Sequence, residues 1–90
     1  MEERKFYVYM LRCKDRSLYT GYTIDLEKRL SMHQEGKASK YTRSRGPVTL
    51  VYFEEFESKS EAMRREIGIK QLNKRQKEEL IKSEINLATK

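Results

Sequence analysis

Cysteine occurs once in this chain of 90 residues, proline once, and tryptophan not at all. The lone Cys13 excludes an internal disulfide framework and any Cys-x-x-Cys metal site. No window approaches the roughly 18–20 consecutive apolar residues that a membrane span needs. The opening MEERK has none of the apolar stretch of a secretory leader. No internal repeat or low-complexity tract is present, and no aromatic residue follows Phe56. Secreted disulfide scaffolds, membrane proteins and repeat arrays are set aside. The expectation is a cytoplasmic chain with no membrane partner.

What is abundant is charge. Lys and Arg number 20 against 14 Asp and Glu, a net charge of +6. The length fits one domain over residues 1–90, with its core in about 5–82. A chain this short buries only about 60–65% of its unfolded surface, so nearly every apolar residue must serve the core. The basic balance points to a polyanionic partner.

Residues 5–13 (KFYVYMLRC) are aromatic and β-branched and predict a strand. KDRS supplies a turn, and 17–22 (SLYTGY) predicts a second strand, together an antiparallel hairpin. Asp25 is an N-cap for a helix through LEKRLSMHQE, with Gly36 where a left-handed C-terminal residue is wanted. Residues 37–47 form a polar loop with four basic residues and no acidic one. VTLVYFEEF at 48–56 predicts the third strand. Ser58 with Glu61, and Asn73 with Gln76, have capping-box spacing, so helices are expected over 59–72 and about 74–87. The order ββαβαα implies an α+β fold, a small three-stranded antiparallel sheet flanked by helices.

Polar residues in apolar company are the informative ones. At 100° per residue, Ala62, Glu66 and Ile69 fall within about 60° of one another, so Glu66 is expected in the middle of a stripe that should face the sheet. It can be a partly exposed carboxylate paired with a nearby Arg, or a ligand for a cation. Mg²⁺ is often held by one or two carboxylates plus waters and phosphate. Arg29 and His33, the latter the single histidine, share one face of the first helix beside Leu26 and Leu30. That pair can be structural, yet it also suits phosphate chemistry. Tyr7 and Tyr9 share one face of the first strand, Tyr19 stands on its partner, and Gly21 removes a side chain where backbone or ligand could approach closely. Tyrosines in hairpins commonly serve packing, which suffices for Tyr7, Tyr22 and Tyr52. One held near a metal-bound water could move its proton if the site lowered its ordinary pKa near 10.

Taken in order, these residues resemble the GIY-YIG nuclease domain, more narrowly its small stand-alone bacterial branch. Tyr7-Val8-Tyr9 stands where that family has GIY, and Tyr19-Thr20-Gly21 where it has YIG. GYTIDLEKRL is similar to the next motif, with its Arg at Arg29. EAMRREIGIK is similar to the later helical motif, whose Glu falls on Glu66. Lys40-Tyr41-Thr42-Arg43 matches a loop typical of the small branch, and PVTLVY the strand after it. The chain departs in placing Tyr7 where the motif opens with glycine. Asn73, near where several members carry an Asn, reads here as a helix cap.

The resemblance implies endonuclease-like, metal-dependent hydrolysis of phosphodiester bonds in nucleic acid, DNA before RNA, with selection of structure by shape. It implies Tyr9, Tyr19, Arg29, His33 and Glu66 as catalytic residues, with Mg²⁺ or Mn²⁺ on Glu66. Tyr9 would help deprotonate the attacking water and Arg29 would stabilise charge on the phosphoryl oxygens. Lys37, Lys40, Tyr41, Arg43 and Arg45 are the expected nucleic-acid contacts. Two other readings stay open. One is a nucleic-acid-binding module that keeps the fold with little or no catalysis. The other is an adaptor using Leu80, Ile81, Ile85 and Leu87, a surface that could also support a homodimer.

Overall fold

A computed structural model describes residues 4–89. Its centre is an antiparallel sheet of three strands: β1 (Phe6–Arg12), β2 (Leu18–Thr23) and β3 (Thr49–Phe56) in the order β2-β1-β3. β1 lies in the middle, and its apolar and aromatic run buries Val8 through Leu11 consecutively. A central strand with both faces covered needs such continuity in place of alternation. The expected hairpin is therefore β1 with β2, and β3 arrives from later in the chain to pair with the other edge of β1.

Helices cover both faces. On one, Val8, Met10 and Tyr52 pack with Ala62 and Ile69 of α3 (Lys59–Lys70) and with Leu80 and Ile81 of α4 (Lys74–Ile81). On the other, Tyr9, Leu11, Cys13 and Val48 pack with Tyr19, Phe53, and Leu26 and Leu30 of α1 (Leu26–Gln34). Asp25 caps α1 by accepting from the Lys28 N–H at 3.1 Å, and Gly36 just beyond it takes φ +75°. Asn73 and Gln76 close a full capping box. At Ser58 the box is altered: its Oγ accepts from the Glu61 N–H and donates to the Glu61 carboxylate.

Two expectations need correction. The polar loop 37–47 contains a one-turn helix, α2 (Lys40–Arg43), whose N-cap Ser39 accepts from the Tyr41 N–H. The last helix stops at Ile81 and does not reach 87. Asn86 explains the stop. Its fully buried amide donates to the Ile81 and Val51 carbonyls at 2.7 and 2.9 Å and accepts from the Phe53 N–H at 3.3 Å. The chain thus leaves the helix to place a side-chain amide on the outer edge of β3, satisfying backbone groups that a bare edge would expose. Leu80 and Ile81 are spent on the core and Ile85 is exposed, so the C-terminal segment covers its own sheet.

Candidate active site

Tyr9 is the residue around which the site is built. It sits on the central strand, is 1% exposed, and faces Gly21 of β2 directly across the ladder. The absence of a side chain at Gly21 lets the Tyr9 ring lie over β2: a methyl there would stand 2.5 Å from the Tyr9 hydroxyl and 2.6 Å from its ring carbon. Close approach was legible at Gly21; that the approaching group is the Tyr9 ring was not.

Asp25 starts α1 so that His33 falls in its last turn, buried, with Nε2 2.8 Å from the Tyr9 hydroxyl. The rings of Tyr9 and His33 meet edge to face at 5.7 Å, and Tyr19 meets His33 in the same manner at 5.1 Å. One helical turn before His33, Arg29 is half-buried and reaches the Tyr22 carbonyl at 3.4 Å. Glu66 projects from α3 at the margin of the stripe whose centre is Ala62 and Ile69. Its side chain is 17% exposed and pairs with Lys70 at 3.2 Å. The expected ion partner was an Arg, and Lys70 takes that place.

Electrostatics ties these groups together. Burial, reinforced by neighbouring Tyr19, pushes the Tyr9 hydroxyl above its ordinary range. Arg29 opposes that shift and Glu66 adds to it, so both charges are felt at the Tyr9 oxygen. The site raises this pKa, where a free phenolate base would need it lowered. Burial, and next the Arg29 charge, hold the His33 imidazole below its ordinary range, so it is uncharged at neutral pH.

Sequence reasoning passed over Thr42 as a site residue. It is buried on α2, its hydroxyl 2.8 Å from His33 Nδ1. A polar residue between Tyr41 and Arg43 carries no periodic signal in a polar loop, and only the tertiary contact reveals it. The loop also reaches the site through Tyr41, 37% exposed, whose ring lies 6.0 Å from that of Tyr19. Arg45 stacks 4.0 Å over the Tyr41 ring, donates to the Tyr41 carbonyl and pairs with Asp15 at 3.1 Å. A cleft of about 510 Å³ lined by Lys14, Asp15, Ser44 and Arg45 adjoins this stack. Lys40 and Arg43 are exposed on the same turn, whereas Lys37 is engaged with Glu35 at 3.3 Å.

Among the described residues, no group of three or more His, Cys, Asp or Glu side chains gathers as a metal cage. The donor chemistry is that of a single hard carboxylate, which suits Mg²⁺ or Mn²⁺ completed by water and phosphate. No helix among the described residues is long and apolar enough to cross a membrane.

Tyr9 and Tyr19 on the sheet and Arg29 and His33 on α1 form one cluster, and the charge of Glu66 on α3 is felt at the Tyr9 oxygen. Residues 5–79 match the GIY-YIG catalytic domain, and the chain belongs to that family. Within it, the chain is 61% identical over 77 residues to a UPF0213 protein of Clostridium perfringens, covering 86% of this chain and 83% of the relative. A UPF0213 protein of Staphylococcus haemolyticus is 57% identical over 77 residues, covering 86% and 94% of the two chains. The fold matches the solution NMR structure of the UPF0213 protein BH0048 from Bacillus halodurans. That match has a TM-score of 0.60 and 49% identity, covering 93% of this chain and 89% of the other.

Proposed function

We propose that this chain is a metal-dependent endonuclease hydrolysing phosphodiester bonds in nucleic acid, DNA before RNA. The observation that carries the reading is the buried Tyr9–His33 hydrogen bond at 2.8 Å, with Arg29 and Glu66 both felt at the Tyr9 oxygen. Buried polar groups in so small a core are costly unless they serve one another or a ligand.

The chemistry asks three things of the site: a base for water, fixed positive charge for the phosphoryl oxygens, and help for the leaving oxygen. Tyr9 receives a proton from the attacking water and passes its own hydroxyl proton to His33 Nε2. Tyr9 thus ends as the phenol it began as, and the charge appears on the imidazole. The raised pKa of Tyr9 is compatible with this role, because no standing phenolate is required. Arg29 would stabilise charge developing on the phosphate, and Tyr19 packs the imidazole in place. Glu66 would hold Mg²⁺ or Mn²⁺, which when bound supplies Lewis-acid assistance at the phosphate. Tyr41, Arg45, Lys40 and Arg43, with a lesser part for Lys37, would hold the strand by its phosphates and by stacking.

The test is incubation of purified protein with labelled duplex, single-stranded and branched DNA, with and without Mg²⁺ or Mn²⁺. Metal-dependent cleavage lost in Glu66→Gln and Tyr9→Phe is the expected outcome. Cleavage that survives Glu66→Ala unchanged would remove the metal site from the reading. Salt-sensitive binding without cleavage in any metal would leave the non-catalytic binding module in its place.

A further inference from the structure

We propose that Thr42 fixes the tautomer of His33, holding the imidazole proton on Nδ1 so that Nε2 stays free to take the proton of Tyr9. The inference rests on the reading of Tyr9 and His33 as the proton-accepting pair, and it assigns Thr42 as a positioning residue.

The argument is a count of hydrogens. His33 makes two bonds inside the core, Nε2 with the Tyr9 hydroxyl and Nδ1 with the Thr42 hydroxyl, both at 2.8 Å. A neutral imidazole has one N–H and one lone pair, so one bond is donated and the other accepted. The Thr42 hydroxyl has a second neighbour, the Ser39 carbonyl one turn earlier at 3.4 Å, and a carbonyl can only accept. All three bonds are made at once in a single direction. Tyr9 O–H donates to Nε2, Nδ1–H donates to Thr42 Oγ, and Thr42 O–H donates to Ser39 C=O. The reverse direction would turn the Thr42 proton toward Nδ1 and leave the Ser39 contact without a hydrogen.

The direction has a chemical consequence. With the proton on Nδ1, the Nε2 lone pair already faces the Tyr9 hydroxyl and can accept its proton. With the proton on Nε2, both partners of that bond would be donors at the moment of reaction. This arrangement also survives the transfer. Once His33 is an imidazolium, Nδ1–H still donates to Thr42, and no group between Tyr9 and Ser39 needs to turn. A site that requires no reorganisation when charge appears is the favourable case for catalysis. The same contact raises the basicity of the distal nitrogen, as carboxylate or carbonyl partners do for metal-bound histidines.

Thr42 is positioned for this by its own turn. Ser39 caps α2, the Arg43 N–H returns to the Ser39 carbonyl at 3.1 Å, and the Arg45 N–H to the Thr42 carbonyl at 3.1 Å. Those bonds set a buried threonine between Tyr41 and Arg43, both exposed.

The deciding measurement is made on the free protein, so it does not depend on cleavage. Long-range ¹⁵N–¹H spectra of the imidazole distinguish the two tautomers. The expected result is His33 with its proton on Nδ1 in the wild type and in Thr42→Ser. In Thr42→Val, which keeps the shape and loses the hydroxyl, that preference should be lost and the His33 pKa should fall further. A wild-type spectrum with the proton on Nε2 overturns the proposal, as does a Thr42→Val spectrum identical to wild type. Cleavage supplies a second arm. Thr42→Val should lower kcat on the order of tenfold to a hundredfold with KM unchanged, and Thr42→Ser should restore it. Loss of activity in Thr42→Ser with the tautomer intact would also overturn the positioning role. If Thr42→Val does not fold, the wild-type and Thr42→Ser spectra still decide. A wild type that cleaves no nucleic acid sinks the nuclease reading and leaves the tautomer result standing by itself.

Discussion

Gly21 and Tyr9 face each other across the β1–β2 ladder, and the tyrosine occupies the space that a side chain on Gly21 would need. The atoms in the way are the hydroxyl and ring carbon of a buried side chain held by His33, so they cannot swing aside without breaking that bond. Gly21→Ala should therefore cost about 1–3 kcal/mol, the usual penalty for overpacking. It should also lower cleavage more than its effect on stability explains. Urea midpoints alongside cleavage at saturating substrate check both. In a Tyr9→Phe background the penalty should persist, because the ring carbon alone would meet the methyl at 2.6 Å.

His33 makes stability depend on pH in a definite direction. Burial, then Arg29, lowers its folded-state pKa below the value of about 6.5 expected in the unfolded chain. The unfolded state then binds the proton more readily. The contribution of His33 is fully present above pH about 6.5 and is lost as pH falls from there through the lowered folded value. Denaturation midpoints of wild type and His33→Gln across that window test this. The wild type should lose stability more steeply on acidification, and equal slopes would contradict the assignment.

Thr20 carries a buried hydroxyl with no hydrogen-bond partner among the described residues. It stands in the position where the YIG motif has an apolar residue. Thr20→Val keeps the shape and removes the unpaired group, so it should be neutral or stabilising by about 1 kcal/mol. Thermal melts of the two proteins decide.

Asn86→Ala would strip partners from the Val51 and Ile81 carbonyls and the Phe53 and Ala88 N–H groups. A loss of about 3 kcal/mol is expected, since buried polar groups left unpaired bear the full desolvation cost. The contact lies at the β3 edge, across the sheet from Gly21 and Tyr19 on β2. The folded fraction should accordingly keep its wild-type cleavage rate and metal requirement.

The basic loop should not act as a set of equal charges. Each phosphate contact removed should reduce the salt slope of duplex DNA binding by about 0.9. Lys40→Ala and Arg43→Ala should show that reduction. Lys37→Ala should show less, because Lys37 is paired with Glu35. Arg45→Ala should weaken binding beyond its charge, since it also loses its place on the Tyr41 ring. Binding measured from low to high salt separates the four.

Local chemistry was legible wherever a residue acts through its own neighbours. The three strands, the caps at Asp25, Ser58 and Asn73, and the left-handed Gly36 follow from side chains within a few positions. Glu66, Arg29 and His33 stand out for a related reason, being polar in or beside helical stripes that should face the sheet, whereas the roles expected of them and of Tyr9 and Tyr19 come from the family resemblance. The loop 37–47 hid its short helix because four residues are too few to show a period. The last helix was read too long because nothing local in KSEINLA says that Asn86 has a better use on β3.

The sequence by itself determined which residues stand out and the order of the elements, since both depend on spacing along the chain. Tertiary structure alone decided who meets whom. It laid the Tyr9 ring over Gly21, set Thr42 against the far side of His33, and turned the tyrosine's pKa upward by burying it. The physical reason is that hydrogen bonds and desolvation depend on distance in space. The sequence separations of 24 from Tyr9 to His33 and 9 from His33 to Thr42 carry no record of the 2.8 Å that separates their polar atoms.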